Sequence, residues 1–196
     1  MYAKISSNTI IKYPAFPTMD HPSVGFPENW QGGTVNDDEY VYVQRTEKPV
    51  ANVGWEYTEG RPNLSDNGWI QVWNPSLLDK NLIKRAVASK RYEVEVSGIT
   101  VSNNVYSTDR ESQTKYVAVA VDISRSNAES WSITWKTLEN KFVTLNSNQA
   151  LEIVNSVRDH VQSCFNKEAE YYNLIDTSNN AVLETIDFSA GWPSNN

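Results

Sequence analysis

The chain has 196 residues, with 24 acidic and 17 basic side chains and a formal net charge of −7. Hydrophobic residues at 39% and charged residues at 21% suit a folded domain, and the length allows one medium domain or two small ones. The charge excludes nucleic acid as a partner, because Lys and Arg stand singly or in pairs and build no cationic patch. A single Cys excludes an intrachain disulfide, so the chain can fold in a reducing compartment. No apolar run reaches the roughly 20 residues of a membrane span. Met1-Tyr2-Ala3-Lys4-Ile5 lacks the apolar centre of a secretory signal. A cytoplasmic product is therefore expected.

Residues 1–75 predict β structure. Tyr2–Ile5 and Thr9–Tyr13 flank Ser6-Ser7-Asn8, a hairpin turn. Pro14, Pro17, Pro22 and Pro27 follow, and proline's fixed φ and missing amide exclude central strand or long helix there. Tyr40–Val43 predicts a short strand. Gly54–Glu59 is expected to pair with Trp69–Trp73 across the turn residues Pro62–Gly68. In that second strand Trp69, Gln71 and Trp73 share one face, and Ile70 and Val72 share the other. Both faces are apolar, so both require covering.

At Pro75-Ser76 the period changes. Ser76 with Asp79 three residues on reads as an N-cap, and Leu77, Leu78, Leu82, Ile83, Ala86 and Val87 predict a helix to about Lys90. This helix, taken as 76–92, links the β-rich unit 1–75 to a second domain, 93–196.

In that domain Tyr92–Val96 and Ile99–Val101 read as strands, with a turn at Ser102-Asn103-Asn104. Thr108-Asp109-Arg110-Glu111 reads as a capping box. Val117-Ala118-Val119-Ala120-Val121 alternates like a strand, but the cap and the face Tyr116, Val119, Ala120, Ile123 favour helix. Trp131–Trp135 and Lys141–Leu145 form a hairpin around Glu139-Asn140. Asn146 or Ser147 then caps a long amphipathic helix, expected to lie on a sheet. Its predicted apolar face is Leu151, Val154, Val157, Val161, Phe165, Ala169, Tyr172 and Ile175. The whole is α+β: a small N-terminal β-rich unit, a linking helix, and a C-terminal α+β domain with hairpins and a long helix.

Four constellations invite chemistry. His160 and Cys164 lie four apart on one helix face, the spacing of a metal pair or a thiolate–imidazole pair. Zinc wants three or four ligands, and the other His, His21, sits in the remote proline-rich segment. Buried Cys commonly serves as a small apolar filler. Asp37-Asp38-Glu39 is consecutive and leads into a strand, unlike the alternating oxygens of a calcium loop. With 24 acidic residues, carboxylate pairs arise by chance, so a glycosidase pair is unsupported. Trp55, Trp69 and Trp73 in a unit that buries only about 60% of its surface serve either as core or as a contact surface. No phosphate loop, dinucleotide fingerprint or nucleophile elbow is present. The reading is non-enzymatic, without cofactor or metal. Trp55, Tyr57, Trp69 and Trp73, with Tyr40 and Tyr42 of the preceding strand, are the candidate protein interface.

Two stretches carry a family resemblance. Trp55-Glu56-Tyr57-Thr58-Glu59-Gly60-Arg61-Pro62, then Asn67-Gly68-Trp69-Ile70-Gln71-Val72-Trp73, resembles the N-terminal halves of phage tail-fibre-assembly proteins. Met1-Tyr2-Ala3 and Phe26-Pro27-Glu28-Asn29 are similar to that group as well. From about Arg91 to Pro193 the chain resembles an uncharacterised domain common in phage tail and tail-fibre-assembly proteins. The matching positions are Thr108-Asp109, Trp135-Lys136, Phe142–Leu145, His160-Val161-Gln162-Ser163-Cys164-Phe165, Glu168, and Ile186-Asp187 to Gly191-Trp192-Pro193. Val117, Val119 and Val121 depart from the richer Ala and Leu of the family's middle helix.

The resemblance implies a setting and assigns no reaction. The expected partners are phage tail fibre or tail and baseplate proteins, or further copies of the chain. The expected location is the host cytoplasm during assembly, or the virion tail. A carbohydrate-binding or carbohydrate-active role in receptor recognition is the alternative. The matched residues read as structural: Thr108 as a helix cap, Phe142, Val161 and Phe165 as core, and Trp192 as a cover over the end of the fold.

Overall fold

In the computed structural model residues 1–195 are described, and they divide into two compact units, residues 1–51 with 55–76, and residues 52–54 with those from 77 on.

The first unit is built on β1 (Tyr2–Ser6), β2 (Thr9–Ala15), β3 (Gly32–Val35), β4 (Asp38–Gln44), β5 (Trp55–Glu59), β6 (Asn63–Ser65), β7 (Gly68–Ile70) and β8 (Trp73–Leu77). One sheet runs β2-β1-β4-β7-β6, with β3 also on β4. Two tight hairpins frame it. Ser7-Asn8 joins β1 to β2 and Asn36-Asp37 joins β3 to β4, all four at positive φ, the geometry whose twist matches two-residue hairpins. Asp37 of the acidic run thus serves a turn, and Asp38 pairs with Lys4 at 2.6 Å.

The pairing expected for the Trp-rich segment is corrected. β5 pairs with β8, whereas β7, which carries Trp69, pairs with β6 and runs parallel to β4. The Asp66-Asn67 turn closes its own short hairpin, which frees Trp69 to meet Val43.

β4 is covered on both faces. Val43 packs with Ala3, Ile5, Ile10 and Trp69. Tyr40, of opposite parity, is 1% exposed beneath the proline-rich segment. There it donates to Asp20 at 3.0 Å and meets Trp30 at 6.2 Å between ring centroids. Tyr40 is therefore core, and its assignment to an interface is corrected. Pro14 is accommodated in β2, at the edge of the sheet, and beyond it the proline-rich segment is irregular up to β3 apart from the four-residue turn of helix α1 (Pro17–Asp20).

The second unit contains α2 (Lys80–Glu95), β9 (Ile99–Val101), β10 (Asn104–Tyr106), α3 (Arg110–Arg125), β11 (Ser132–Lys136), β12 (Phe142–Asn146), α4 (Ser147–Thr177) and α5 (Asn180–Leu183). The helix read as a linker is α2, and it belongs to this unit. Its cap is Asp79, whose carboxylate accepts from the Asn81 and Leu82 amides; Ser76 lies in β8. α2 also absorbs residues 92–95, where a strand was expected. The alternation of Tyr92–Val96 is over-ridden by helical spacing, since Ile83, Val87 and Val94 continue one face and Glu95 meets Arg91 one turn back.

α3 settles the conflict at Val117–Val121 in favour of helix. Tyr116, Val119 and Ile123 are buried, while Val117 and Val121 point outward at 64% and 41% exposure. Asp109 is its cap, accepting from the Ser112 amide. Thr108, expected in that role, is instead buried and accepts the Gly98 amide at 2.9 Å. Asn146 caps α4 in a complete capping box with Gln149.

α4 has 31 residues, a rod about 46 Å long at 1.5 Å per residue. It lies against α2 and α3 and the β9 and β12 strands rather than on a broad sheet. Its buried face is Ala150, Ile153, Val157, His160, Cys164, Tyr171 and Ile175. The expected stripe is rotated from this one. Val157 and Ile175 are shared, Val161 is half-buried, Ala169 is exposed, and Phe165 is 40% exposed. Phe142, expected in the core, is 72% exposed. Phe142 and Leu145 differ in strand parity, so β12 cannot bury both, and it buries Leu145.

Candidate functional site

The first unit holds an open pocket of about 440 Å³ whose lining includes Tyr2, Phe16, Phe26, Trp30, Arg45 and Glu59. Prolines shape it: Pro14, Pro17 and Pro27 complete the apolar wall. The rings pack at angles that leave a cleft instead of a closed stack. Trp30 lies 5.1 Å from Tyr2 and 4.7 Å from Phe26 between centroids, tilted by 39° and 52°. The Tyr2 hydroxyl donates to the Trp30 carbonyl at 2.7 Å, which ties the irregular segment to β1.

Glu59, at the end of β5, is held by donors. Gln71, itself buried, donates to Glu59 Oε1 at 2.7 Å, and the Tyr13 hydroxyl donates to the same oxygen. Burial first, and Glu59 second, push the Tyr13 phenol well above its ordinary range, while Arg45 opposes the shift. Arg45 follows β4, and among the described residues no carboxylate oxygen lies within 4.0 Å of its guanidinium. The pocket therefore combines apolar walls, a fixed carboxylate and an unpaired cation.

Of the residues expected at an interface, none lines this pocket. Trp55 and Tyr57 are half-buried on β5, and Trp73 is half-buried on β8 with Lys48 Nζ 5.5 Å above its ring. Trp69 packs against the sheet core. Tyr42 is 37% exposed and meets the Tyr2 ring edge-on at 5.7 Å. The sequence signal that marks the pocket is aromatics among prolines, Phe16, Phe26 and Trp30, which reads at first sight as a mere connection.

In the second unit the His160–Cys164 pair is placed by α4 against the end of α2. His160 Nε2 lies 3.0 Å from the Val94 carbonyl, which only accepts, so that nitrogen carries the hydrogen. The same nitrogen is the one 3.8 Å from Cys164 Sγ. A committed donor cannot take the thiol's proton. Burial, reinforced by the negative charge of Glu95, pushes the thiol up to about 11. One turn further, Glu168 accepts from Arg91 Nε at 3.1 Å, and Arg91 lies 4.5 Å above the Phe165 ring.

His160, Cys164 and Glu168 thus form one edge of α4 that clasps α2. Behind it Glu95 is fully buried and receives Arg91, Arg110 at 3.1 Å and Gln113 at 3.1 Å. Beside it runs an open polar groove of about 680 Å³, lined by Thr100, Asp159, Ser163, Asn166 and Trp192 among others. Trp192 donates to the Phe188 carbonyl at 2.9 Å and packs on Tyr171, closing the end of a core that also holds Ile83, Val87, Ile175 and Leu183. Val161 packs at the margin of the core that Tyr116, Val119, Ile123, Ile153 and Val157 form between α3 and α4. Among the described residues no group of three or more His, Cys, Asp or Glu side chains could hold a metal ion. No helix among them is long and apolar enough to cross a membrane.

The second unit coincides with a recognised sequence family. The chain belongs to the family described as "Domain of unknown function (DUF4376)", matched over residues 79–190. That span opens on the Asp79 cap of α2 and so takes in the α2–α4 clasp. No curated protein and no solved structure matches the chain.

Proposed function

We propose that this protein works by binding, as a non-enzymatic tail-associated protein that docks on phage tail fibre or tail and baseplate components. The observation that carries the binding mode is the open aromatic–proline pocket of the first unit, with Arg45 unpaired among the described residues. Aromatic walls with few polar groups are the usual lining of sites that take another molecule's apolar groups. The resemblance of Trp55–Pro62 and Asn67–Trp73 to tail-fibre-assembly proteins, and of the second half to phage tail domains, supplies the setting. In the second unit the residues most suggestive of catalysis are engaged in holding α2 to α4. Assembly takes place in the host cytoplasm, and the protein either leaves the fibre afterwards or remains in the tail.

The test is capture of the co-expressed fibre or baseplate proteins of the same phage by the intact chain and by Trp30→Ala. Loss of capture with unchanged melting supports the reading; undiminished capture removes the pocket from it. Near-stoichiometric presence in purified virions makes the protein a permanent tail subunit, and its absence makes it an assembly factor. Carbohydrate recognition is the second reading, favoured by tryptophan and arginine at one opening. Titration with host surface glycans separates the two: a saturable response lost in Trp30→Ala moves the assignment to sugar.

A further inference from the structure

We infer that the aromatic–proline pocket takes the free C-terminal end of a partner polypeptide, an apolar last side chain with its main-chain carboxylate. This rests on the binding reading above and specifies its ligand. Two groups of opposite sign serve the same opening. Arg45 is unpaired among the described residues, and Glu59 is held in place by Tyr13 and Gln71. Both side chains line the one pocket, beside Phe16, Phe26 and Trp30.

A chain end presents the matching set within one residue: a carboxylate for the guanidinium, the N–H of the last peptide bond for the carboxylate, and a side chain for the walls. The fork of Arg favours a planar carboxylate. Glu59 keeps free lone pairs after accepting its two bonds, enough for one more donor. An internal Asp or Glu fits less well, because its carboxylate replaces the apolar group that Phe16, Phe26 and Trp30 would cover. Pyranose sugars want several amide or carboxylate partners around a ring face, and the lining offers one acid, one base and prolines.

The probes are N-acetyl-Gly-Pro-Phe as the free acid and as the C-terminal amide. Each is titrated into the full chain and followed by calorimetry and by tryptophan indole N–H shifts. The free acid is expected to bind about tenfold more tightly than the amide, the size of one charge-assisted contact at a part-open site. Arg45→Gln is expected to erase that difference while the fold is kept, since the side chain is exposed. Equal binding of acid and amide, or no binding of either, overturns the inference. So does a response to N-acetylneuraminic acid stronger than to the peptide acid. Capture of the fibre by the Trp30→Ala chain is measured in parallel. If that capture is lost while acid and amide bind alike, the pocket still docks a partner and only the carboxylate assignment fails. If it persists, the pocket is removed from the binding reading as well.

Discussion

Glu95 provides the sharpest test of how the second unit is held together. Its carboxylate is fully buried, and it meets Arg91, itself 14% exposed, together with Arg110 and Gln113. Removing it in Glu95→Ala leaves the largely buried Arg91 guanidinium with Glu168 alone. Breaking a buried pair from one side costs about 3–5 kcal/mol, chiefly because the remaining charge is stranded. Arg110 adds little, being 57% exposed and so well screened. Glu95→Gln keeps the shape and one acceptor and is expected to lose about 1.5–3 kcal/mol, the worth of hydrogen bonds to a charged group. For a chain of this length the Ala variant should melt on the order of 10 °C lower. Replacing both partners, Arg91→Met with Glu95→Leu, should recover most of the loss, since it strands neither charge of that pair. The assay is urea unfolding followed by far-ultraviolet circular dichroism. An Ala variant within 0.5 kcal/mol of the parent, or a double variant worse than Ala alone, would refute the reasoning.

Thr108→Val should cost about 1–3 kcal/mol by orphaning the Gly98 amide, whereas Thr108→Ser should be tolerated; equal melting of all three chains rejects the bond. Phe142→Ser should leave the unfolding midpoint within about 0.5 kcal/mol, while Leu145→Ala should lose about 2–4 kcal/mol, which reads strand parity directly. Cys164 should resist thiol reagents in the folded chain at pH 8 and react on unfolding; fast labelling of native protein contradicts its burial. The thiol also sets an alkaline limit. Its folded value, about 11, lies above the ordinary value near 9, so over that interval the unfolded chain has lost a proton that the folded chain keeps. Stability must therefore fall as pH rises from about 9 to about 11, and Cys164→Ala should flatten that part of the curve.

Much of the fold was legible because local chemistry decided it. Ser7-Asn8 and Asn140 accept the left-handed backbone that their turns need. Asn146 and Ser147 both read as caps for α4, and the capping box with Gln149 falls to Asn146. What misled was parity and phase. The strand-like alternation at Tyr92–Glu95 is the tail of a helix, because Arg91 meets Glu95 one turn on within α2 and Glu168 of α4 across the helix pair. The face of α4 chosen by apolarity alone missed the one that is buried, since His160 and Cys164 count as polar or reactive when read singly. They are buried because the Val94 carbonyl satisfies the imidazole and because a neutral thiol packs as a small apolar group. The pocket of the first unit was hidden for a related reason: residues 14–30 look like a connection, and only their return over β4 brings Phe16, Phe26 and Trp30 beside Arg45 and Glu59.

Composition, turn residues and helix caps determined by themselves the α+β class, the two early hairpin strands and the long capped helix. These are short-range or summed properties, set by backbone sterics and by proline's missing amide. Tertiary structure alone decided which strand meets Trp69, which face of α4 is buried and where the Arg45 guanidinium stands against aromatic walls. Those outcomes depend on residues tens of positions apart competing for the same neighbours, and the competition is resolved only when the chain closes on itself.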